Sequence, residues 1–225
     1  HHSKIYSKNP ILKVNKLTVF YGNNLTLKDI SFNLYKGETL GIVGESGSGK
    51  STIAKSILGL VKIHNGEILF KNKNTNQISN SIFRKKVQLI FQDPYSSLNP
   101  EISIGNSIIE PMIAHKIFSS KYEMKCKALE LLNQVGLSKN DFKKFPNQFS
   151  GGQRQRIVIA RALALNPEVI ICDESVSALD VSIQAQILNL LSDLKEQYLF
   201  TFLFISHDMS VIKYFTDRLI VLKKG

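Results

Sequence analysis

Apolar residues recur along this chain in two rhythms. Between residues 11 and 36 they nearly alternate with polar ones: Leu12, Val14, Leu17, Val19, then Leu27, Ile30, Phe32, Leu34. That is the two-residue period of half-buried antiparallel strands. Tyr21-Gly22-Asn23-Asn24 falls between the runs and supplies their turn. Elsewhere the apolar stretches are short and continuous, as strands covered on both faces require. Thr39 to Val43, Val87 to Phe91, Val169 to Cys172 and Phe202 to Ile205 read this way, with a final strand from Arg218 to Leu222.

Helical spacing fills the intervals. A helix is expected from Ile53 to Val61, then a turn at Asn65-Gly66 into the strand Glu67 to Phe70. Residues 71–82 are polar and read as a surface loop. Residues 100–165 turn towards helix. Ala128, Leu131, Leu132 and Val135 share one face, and Gly136 is placed to end that helix. Ser150-Gly151-Gly152-Gln153 opens another, running to about Leu165 and stopped by Asn166-Pro167. Ser150 with Gln153 three residues on fits a capping box. Ile187, Leu190, Leu191, Leu194 and Tyr198 mark one more helix face. Strands alternating with helices predict an α/β fold with a largely parallel, covered sheet and a helical insertion between two strands.

Composition narrows the class without naming a function. The 225 residues are 43% hydrophobic and 21% charged, ordinary for a globular protein with a substantial core. No apolar run approaches the roughly 18 residues of a membrane span, and the N-terminus lacks a signal-peptide layout. It begins His1-His2, which resembles a tag remnant. Cys126 and Cys172 are the only cysteines, so neither a zinc site nor a disulfide framework is expected, and a reducing compartment fits. The net charge of +11 is compatible with nucleic acid or an anionic membrane surface. The lysines are scattered through the chain, however, so the charge is weak evidence for such a partner.

The chemistry gathers at strand ends. Gly44-Glu45-Ser46-Gly47-Ser48-Gly49-Lys50-Ser51-Thr52 follows the apolar run ending at Val43 and fits the phosphate-loop pattern G-x-x-x-x-G-K-[ST]. Glycines let backbone N–H groups close on phosphate oxygens, and the following helix turns its positive end to the same place. Lys50 is expected on the β- and γ-phosphates and the Ser51 hydroxyl on Mg²⁺. Gln92, Asp173-Glu174 and His207 close three other apolar strands. In an open α/β sheet, ligands lie outside those carboxyl ends. An acid there is suited to Mg²⁺, and a neighbouring carboxylate to polarising a water in line with the γ-phosphate. Tyr21, on its turn, could be a core aromatic or could stack on an adenine.

Ser150-Gly151-Gly152-Gln153 lies about 100 residues after the phosphate loop and about 20 before Asp173-Glu174. This resembles the signature of ATP-binding-cassette (ABC) ATPases, and the resemblance runs from Tyr21 to Leu222. It implies a phosphate-loop (P-loop NTPase, RecA-like) core with an antiparallel β-subdomain and an inserted α-helical subdomain. Residues 11–92 and 166–225 would form the core, residues 93–165 the helical subdomain, and residues 1–10 an N-terminal arm. Tyr21 matches the adenine-stacking aromatic and Gly44 to Thr52 the Walker A motif. Gln92 matches the Q-loop glutamine that touches Mg²⁺ and the attacking water. Phe149 to Gln153 match the signature, Asp173 the Walker B aspartate and Glu174 the catalytic glutamate. Ser177-Ala178-Leu179-Asp180 match the D-loop and His207 the switch histidine.

Phe149 in place of the usual Leu, Ser175-Val176 in place of Pro-Thr, and the stretches Gln92 to Pro100 and Leu179 to Gln186 resemble the dipeptide, oligopeptide and nickel import branch. Members usually carry a C-terminal extension, so the resemblance implies a short member or a truncated chain. It further implies ATP and Mg²⁺ as cofactors and a nucleotide-sandwich dimer with an identical or paralogous second cassette. Membrane permease subunits and, indirectly, an extracytoplasmic binding protein would be partners, with the cassette peripheral on the cytoplasmic face of the membrane. The rival reading is a soluble ABC ATPase acting on DNA or the ribosome. Repair and chromosome-organising members have a long insertion before the signature, and ribosome-acting members carry two cassettes. Neither feature is present in this chain, so no nucleic-acid partner is expected.

Overall fold

The computed structural model describes residues 9–223 and 225, so the tag-like His1-His2 lies outside the described residues. Leu12–Tyr21 (β1) and Asn24–Leu34 (β2) pair antiparallel as their alternation predicts. The buried positions slip by one between Val14 and Leu17, and again between Leu27 and Ile30. Lys16 and Asp29 absorb the extra residues at φ 46° and 52° in paired bulges, so Leu17, Val19 and Leu27 stay on the inner face with Val14 and Phe32. The bulges are pinned by side chains: Lys16 N–H donates to Ser31 Oγ at 2.8 Å, and Asp29 N–H to Thr18 Oγ1 at 3.2 Å.

Thr39–Val43 (β3) belongs to a second sheet, described below, while Asn65–Phe70 (β4) and Lys73–Asn74 (β5) complete the first in the order β2-β1-β4-β5. Val87–Ile90 (β6), Val169–Asp173 (β7), Thr201–Ser206 (β8) and Arg218–Val221 (β9) join β3 in an all-parallel sheet, ordered β6-β7-β8-β3-β9. Every residue of β3, β7 and β8 is buried, because the sheet is covered on both sides. Alternate residues serve the two faces. Ile170, Cys172, Phe202 and Phe204 pack with Ile108, Leu132, Ile157 and Ile187. Val169, Ile171, Leu203 and Ile205 pack with Leu12, Leu34, Ile53 and Ile57. Each such side chain contributes about 1.5–3 kcal/mol on burial, so a one-residue slip of a central strand would mismatch both layers.

Lys50–Ile57 (α1) begins three residues earlier than its apolar face suggests, because Gly49 at φ 99° turns the chain straight into the helix. It stops at Leu58, with Gly59 at φ 67°, short of the expected Val61. Asn80–Lys86 (α2) corrects the expectation of a loop over 71–82. That helix buries one side chain, Phe83, whose ring meets Phe70 edge-on at 5.6 Å between centroids, so it has no apolar period to read. Pro94–Ser97 (α3), Ile104–Ala114 (α4), Lys121–Gln134 (α5) and Gly151–Leu163 (α6) all lie between β6 and β7, as an inserted helical layer. Gly136, at φ 76°, follows α5 as expected. The capping box at α6 is present: Gln153 N–H donates to Ser150 Oγ at 3.3 Å and Ser150 N–H to Gln153 Oε1 at 3.0 Å. Val181–Tyr198 (α7) and Met209–Phe215 (α8) follow β7 and β8. The sequence pattern gives no sign of α8, which is two turns long and is opened by Asp208, whose carboxylate accepts from Ser210 N–H and Val211 N–H.

Candidate functional site

Parallel pairing puts the carboxyl ends of β6, β7, β8 and β3 along one edge, in that spatial order. Gln92, Asp173-Glu174, His207 and the loop from Gly44 are therefore carried to neighbouring positions by the sheet itself. The loop's backbone needs its glycines. A Cβ on Gly44 would lie 2.4 Å from the Leu222 carbonyl oxygen, and Gly47 and Gly49 hold φ 79° and 99°. Gly49 also packs against Leu27 and the Thr26 carbonyl, which sets the loop beside the start of β2. Glu45, Ser46 and Gly47 form the exposed crest, while Ser48, Lys50 and Thr52 are buried.

Lys50 is 4% exposed and donates from Nζ to the carbonyls of Gly44 at 2.8 Å and Glu45 at 2.9 Å. The same ammonium stands 3.8 Å from Glu174 Oε1, a charge neighbour beyond hydrogen-bond reach. Glu174 Oε2 is 3.4 Å from His207 Nδ1, so the carboxylate sits between the loop lysine and the histidine ending β8. Glu174 itself holds φ 50°, a left-handed backbone that is uncommon outside glycine, and its N–H is tied to the Ile205 carbonyl at 3.0 Å. Ser51 Oγ donates to Asp173 Oδ1 at 2.9 Å. Burial pushes the Asp173 carboxyl above its ordinary pKa, against the opposing pull of the Ser51 hydrogen bond. Gln92 reaches the group indirectly, donating from Nε2 to Ser177 Oγ at 3.2 Å.

Two observations fit a bound nucleoside triphosphate and its metal. Ser48 Oγ is buried within the loop without a hydrogen-bond partner, an orphan that a phosphate oxygen would satisfy. The Ser51 hydroxyl and Asp173 carboxylate form a pair of hard oxygen donors suited to Mg²⁺. Among the described residues no group of three or more His, Cys, Asp or Glu side chains converges as a metal cage, so phosphates and water would supply the remaining ligands.

Other expected site residues stand apart. Tyr21 ends β1 opposite Asn24 and is 46% exposed, a presented ring and not a core aromatic. Ser150 and Gln153 are exposed and satisfy each other in the capping box. Among the described residues, no hydrogen bond or ion pair joins Ser150 to Gln153 with the phosphate loop of the same chain. The signature rests on the start of α7: Gly151 faces Leu179 and Gly152 faces Ile183. Asp180 precedes α7 with an exposed carboxylate that makes no cap hydrogen bond. The sequence reading assigns no role of its own to Ser177, whose link to Gln92 spans 85 residues and leaves no local signal.

A raised acid pKa means that Asp173 favours the fold at acidic pH and opposes it as pH rises through the raised value. Asp173→Asn removes that burden and can still accept from Ser51. Its ligand-free melting temperature should therefore rise at neutral pH, while stabilisation by added Mg-ATP shrinks. Calorimetric melts with and without Mg-ATP check both signs.

A parallel sheet whose ends carry a phosphate loop, a Ser–Asp pair and a carboxylate between lysine and histidine defines a nucleotide-binding protein of the phosphate-loop class. The chain belongs to the ABC transporter family, whose model matches residues 27–177. It is 49% identical over 208 residues to the oligopeptide transport ATP-binding protein OppF of Bacillus subtilis, covering 91% of this chain and 68% of that one. The OppF of Haemophilus influenzae is 48% identical over 217 residues, with 94% and 65% covered. The glutathione import ATP-binding protein GsiA of Pectobacterium atrosepticum is 45% identical over 230 residues, with 96% and 37% covered. The chain thus spans about two thirds of its oligopeptide relatives and little more than a third of the glutathione one. Among solved structures, the ATP-binding cassette MJ0796, in a dimeric post-hydrolysis state bound to ADP and Pi, superposes with a TM-score of 0.84 at 35% identity over 95% of both chains. CbiO1 from Clostridium perfringens, part of the ABC transporter complex cbiONQ, gives a TM-score of 0.87 at 28% identity over 97% of this chain and 86% of that one.

Proposed function

We propose that this chain is the ATP-hydrolysing subunit of an importer for di- or oligopeptides, or for nickel, and that it works as one half of a nucleotide sandwich on the cytoplasmic face of the membrane. The observation that carries the reading is the placement of Glu174 between Lys50 and His207, beside the Ser51–Asp173 pair. In this reading Gly44 to Thr52 cradle the phosphates, with Lys50 on the γ-phosphate side. Ser51, Asp173 and Gln92 would hold Mg²⁺, which would supply charge neutralisation to the phosphates. Glu174 takes a proton from the attacking water, and His207 holds that carboxylate and meets the γ-phosphate. Ser150 to Gln153 and Asp180 act on the nucleotide of the opposite cassette, either a second copy or a paralogue. A helix N-terminus bearing a serine and two glycines is suited to a γ-phosphate.

The coupling surface follows from a groove of about 1000 Å³ between the sheet and the helical layer. Its lining takes in Ser51, Gln92 and Asp173 and the exposed Leu60 and Phe91, with charged side chains such as Arg84 and the Glu110–Arg161 pair among them. That shape suits a short segment of a membrane permease, displaced when the helical layer moves. Among the described residues no helix is long and apolar enough to cross a membrane, so the reading gives the spanning role to the permease. The relatives' names motivate the peptide cargo.

Tyr21→Ala tests the adenine contact. Stacking on a base is worth about 1–3 kcal/mol, so ATP affinity should fall roughly tenfold with turnover at saturating ATP preserved. Equal affinities in titration calorimetry would remove Tyr21 from the site. The cargo is decided by uptake of labelled dipeptides, oligopeptides and Ni²⁺ in cells lacking this subunit. Loss of peptide uptake alone supports the peptide branch, and unchanged uptake of all three ends the importer reading.

A further inference from the structure

Ser177 lies three residues beyond Glu174, and its hydroxyl makes two hydrogen bonds. It donates to the Glu174 carbonyl oxygen at 2.9 Å and accepts from Gln92 Nε2 at 3.2 Å. Its backbone N–H also donates to the Glu174 carbonyl, at 3.0 Å. A serine hydroxyl carries one proton. With that proton committed to Glu174, the oxygen can only accept, and Gln92 must present its NH₂ group and turn its carbonyl oxygen away. Among the described residues this is the one side-chain hydrogen bond of Gln92, so nothing else sets which end of its amide points where. On the other side, Ser177 closes the turn that begins at Glu174, the residue held at φ 50°.

Gln92 is also tied to the helical layer. It directly precedes Asp93, whose carboxylate accepts from Tyr95 N–H at 2.8 Å and Ser96 N–H at 3.3 Å to open α3. Helix α3 is in turn held by α6: Arg161 Nη1 donates to the Ser97 carbonyl at 3.0 Å, and the Arg154 guanidinium lies 4.0 Å over the Tyr95 ring. A continuous set of contacts therefore runs from the helix headed by Ser150, through α3 and Gln92, to the backbone of Glu174.

We infer that Ser177 is a positioning residue that fixes the amide orientation of Gln92 and ties it to the backbone of Glu174 in the same chain. The inference rests on the roles given above to Gln92 and Glu174, but the bond itself has a readout independent of hydrolysis. In ¹⁵N-resolved spectra of the intact chain, the Gln92 side-chain amide, assigned by its loss in Gln92→Glu, should be shifted from free glutamine and slow to exchange with water. Ser177→Ala should move it to free-glutamine positions, and Ser177→Thr should keep it in place. Ser177→Ala should also lower kcat about tenfold, the order expected for losing the bond to Gln92, with KM for ATP unchanged. The Glu174 carbonyl keeps the Ser177 backbone N–H in that variant. Ser177→Thr should restore kcat, and the double variant Gln92→Ala with Ser177→Ala should be no slower than Gln92→Ala alone. A Gln92 amide indifferent to Ser177→Ala, or losses that multiply in the double variant, overturns the inference. If the unaltered chain fails to hydrolyse ATP, the proposed function falls instead, and the amide spectrum still decides the role of Ser177.

Discussion

Glu174→Gln should leave ATP binding intact and cut turnover by at least about 10²-fold, the usual loss when one positioned electrostatic group is removed. The exchange is nearly isosteric, and the left-handed backbone at residue 174 is held by its N–H to Ile205 and by Ser177, neither of which the side chain supplies. What disappears is the one carboxylate standing between Lys50 and His207. Removing its charge from beside Lys50 also makes the loop more receptive to a γ-phosphate. Affinity should therefore hold or tighten, and the ATP-bound cassette should accumulate as a dimer by light scattering. Turnover within tenfold of the unaltered chain would take Glu174 out of the catalytic role.

The second large effect is expected at a residue that touches no catalytic group of its own chain. Gly151 has room for a side chain, since a Cβ there would meet Leu179 at 3.6 Å and the Tyr95 hydroxyl at 3.9 Å, both ordinary contacts. Gly152 has none, because its Cβ would lie 2.5 Å from Ile183 Cγ2. Gly151→Asp should therefore fold, and an acid in the first turn of α6 even favours the helix. The same charge would face the γ-phosphate of an opposing cassette. Melting temperature and ATP affinity should stay near those of the unaltered chain, while turnover falls about 10²-fold or more. A loss of folding would instead show that the signature is needed for packing, and full activity would show that it faces no phosphate.

The contrast between these two sites explains what was legible in the residues alone. Continuous apolar runs ending in Gly44, Asp173 and His207 could be read because β3, β7 and β8 are buried on both faces. The run before Gln92, by contrast, forms the edge strand β6 and is only partly buried. The spatial order was not legible. Strand β3 enters between β8 and β9, the last strands of the chain, through backbone ladders that carry no side-chain signature. Helix α2 carries no apolar period because Phe83 is its single anchor, and in α8 two turns give too few periods to read. The bulges at Lys16 and Asp29 left a trace in the apolar spacing that becomes readable only once the strands are paired. The signature is a different case. Ser150 and Gln153 satisfy one another, so no unmet hydrogen bond within one chain points to a second cassette.

Mixing two disabled chains tests directly whether a second cassette completes the site. Lys50→Ala removes the loop cation but leaves Gly151 and its helix unaltered. Gly151→Asp spoils the signature but leaves the phosphate loop unaltered. Each alone should be inactive. A mixed dimer contains one intact loop facing one intact signature, so ATPase activity should appear on mixing and rise with the proportion of mixed dimers. If the unaltered chain hydrolyses ATP and the mixture remains as inactive as its components, the site is not shared between cassettes.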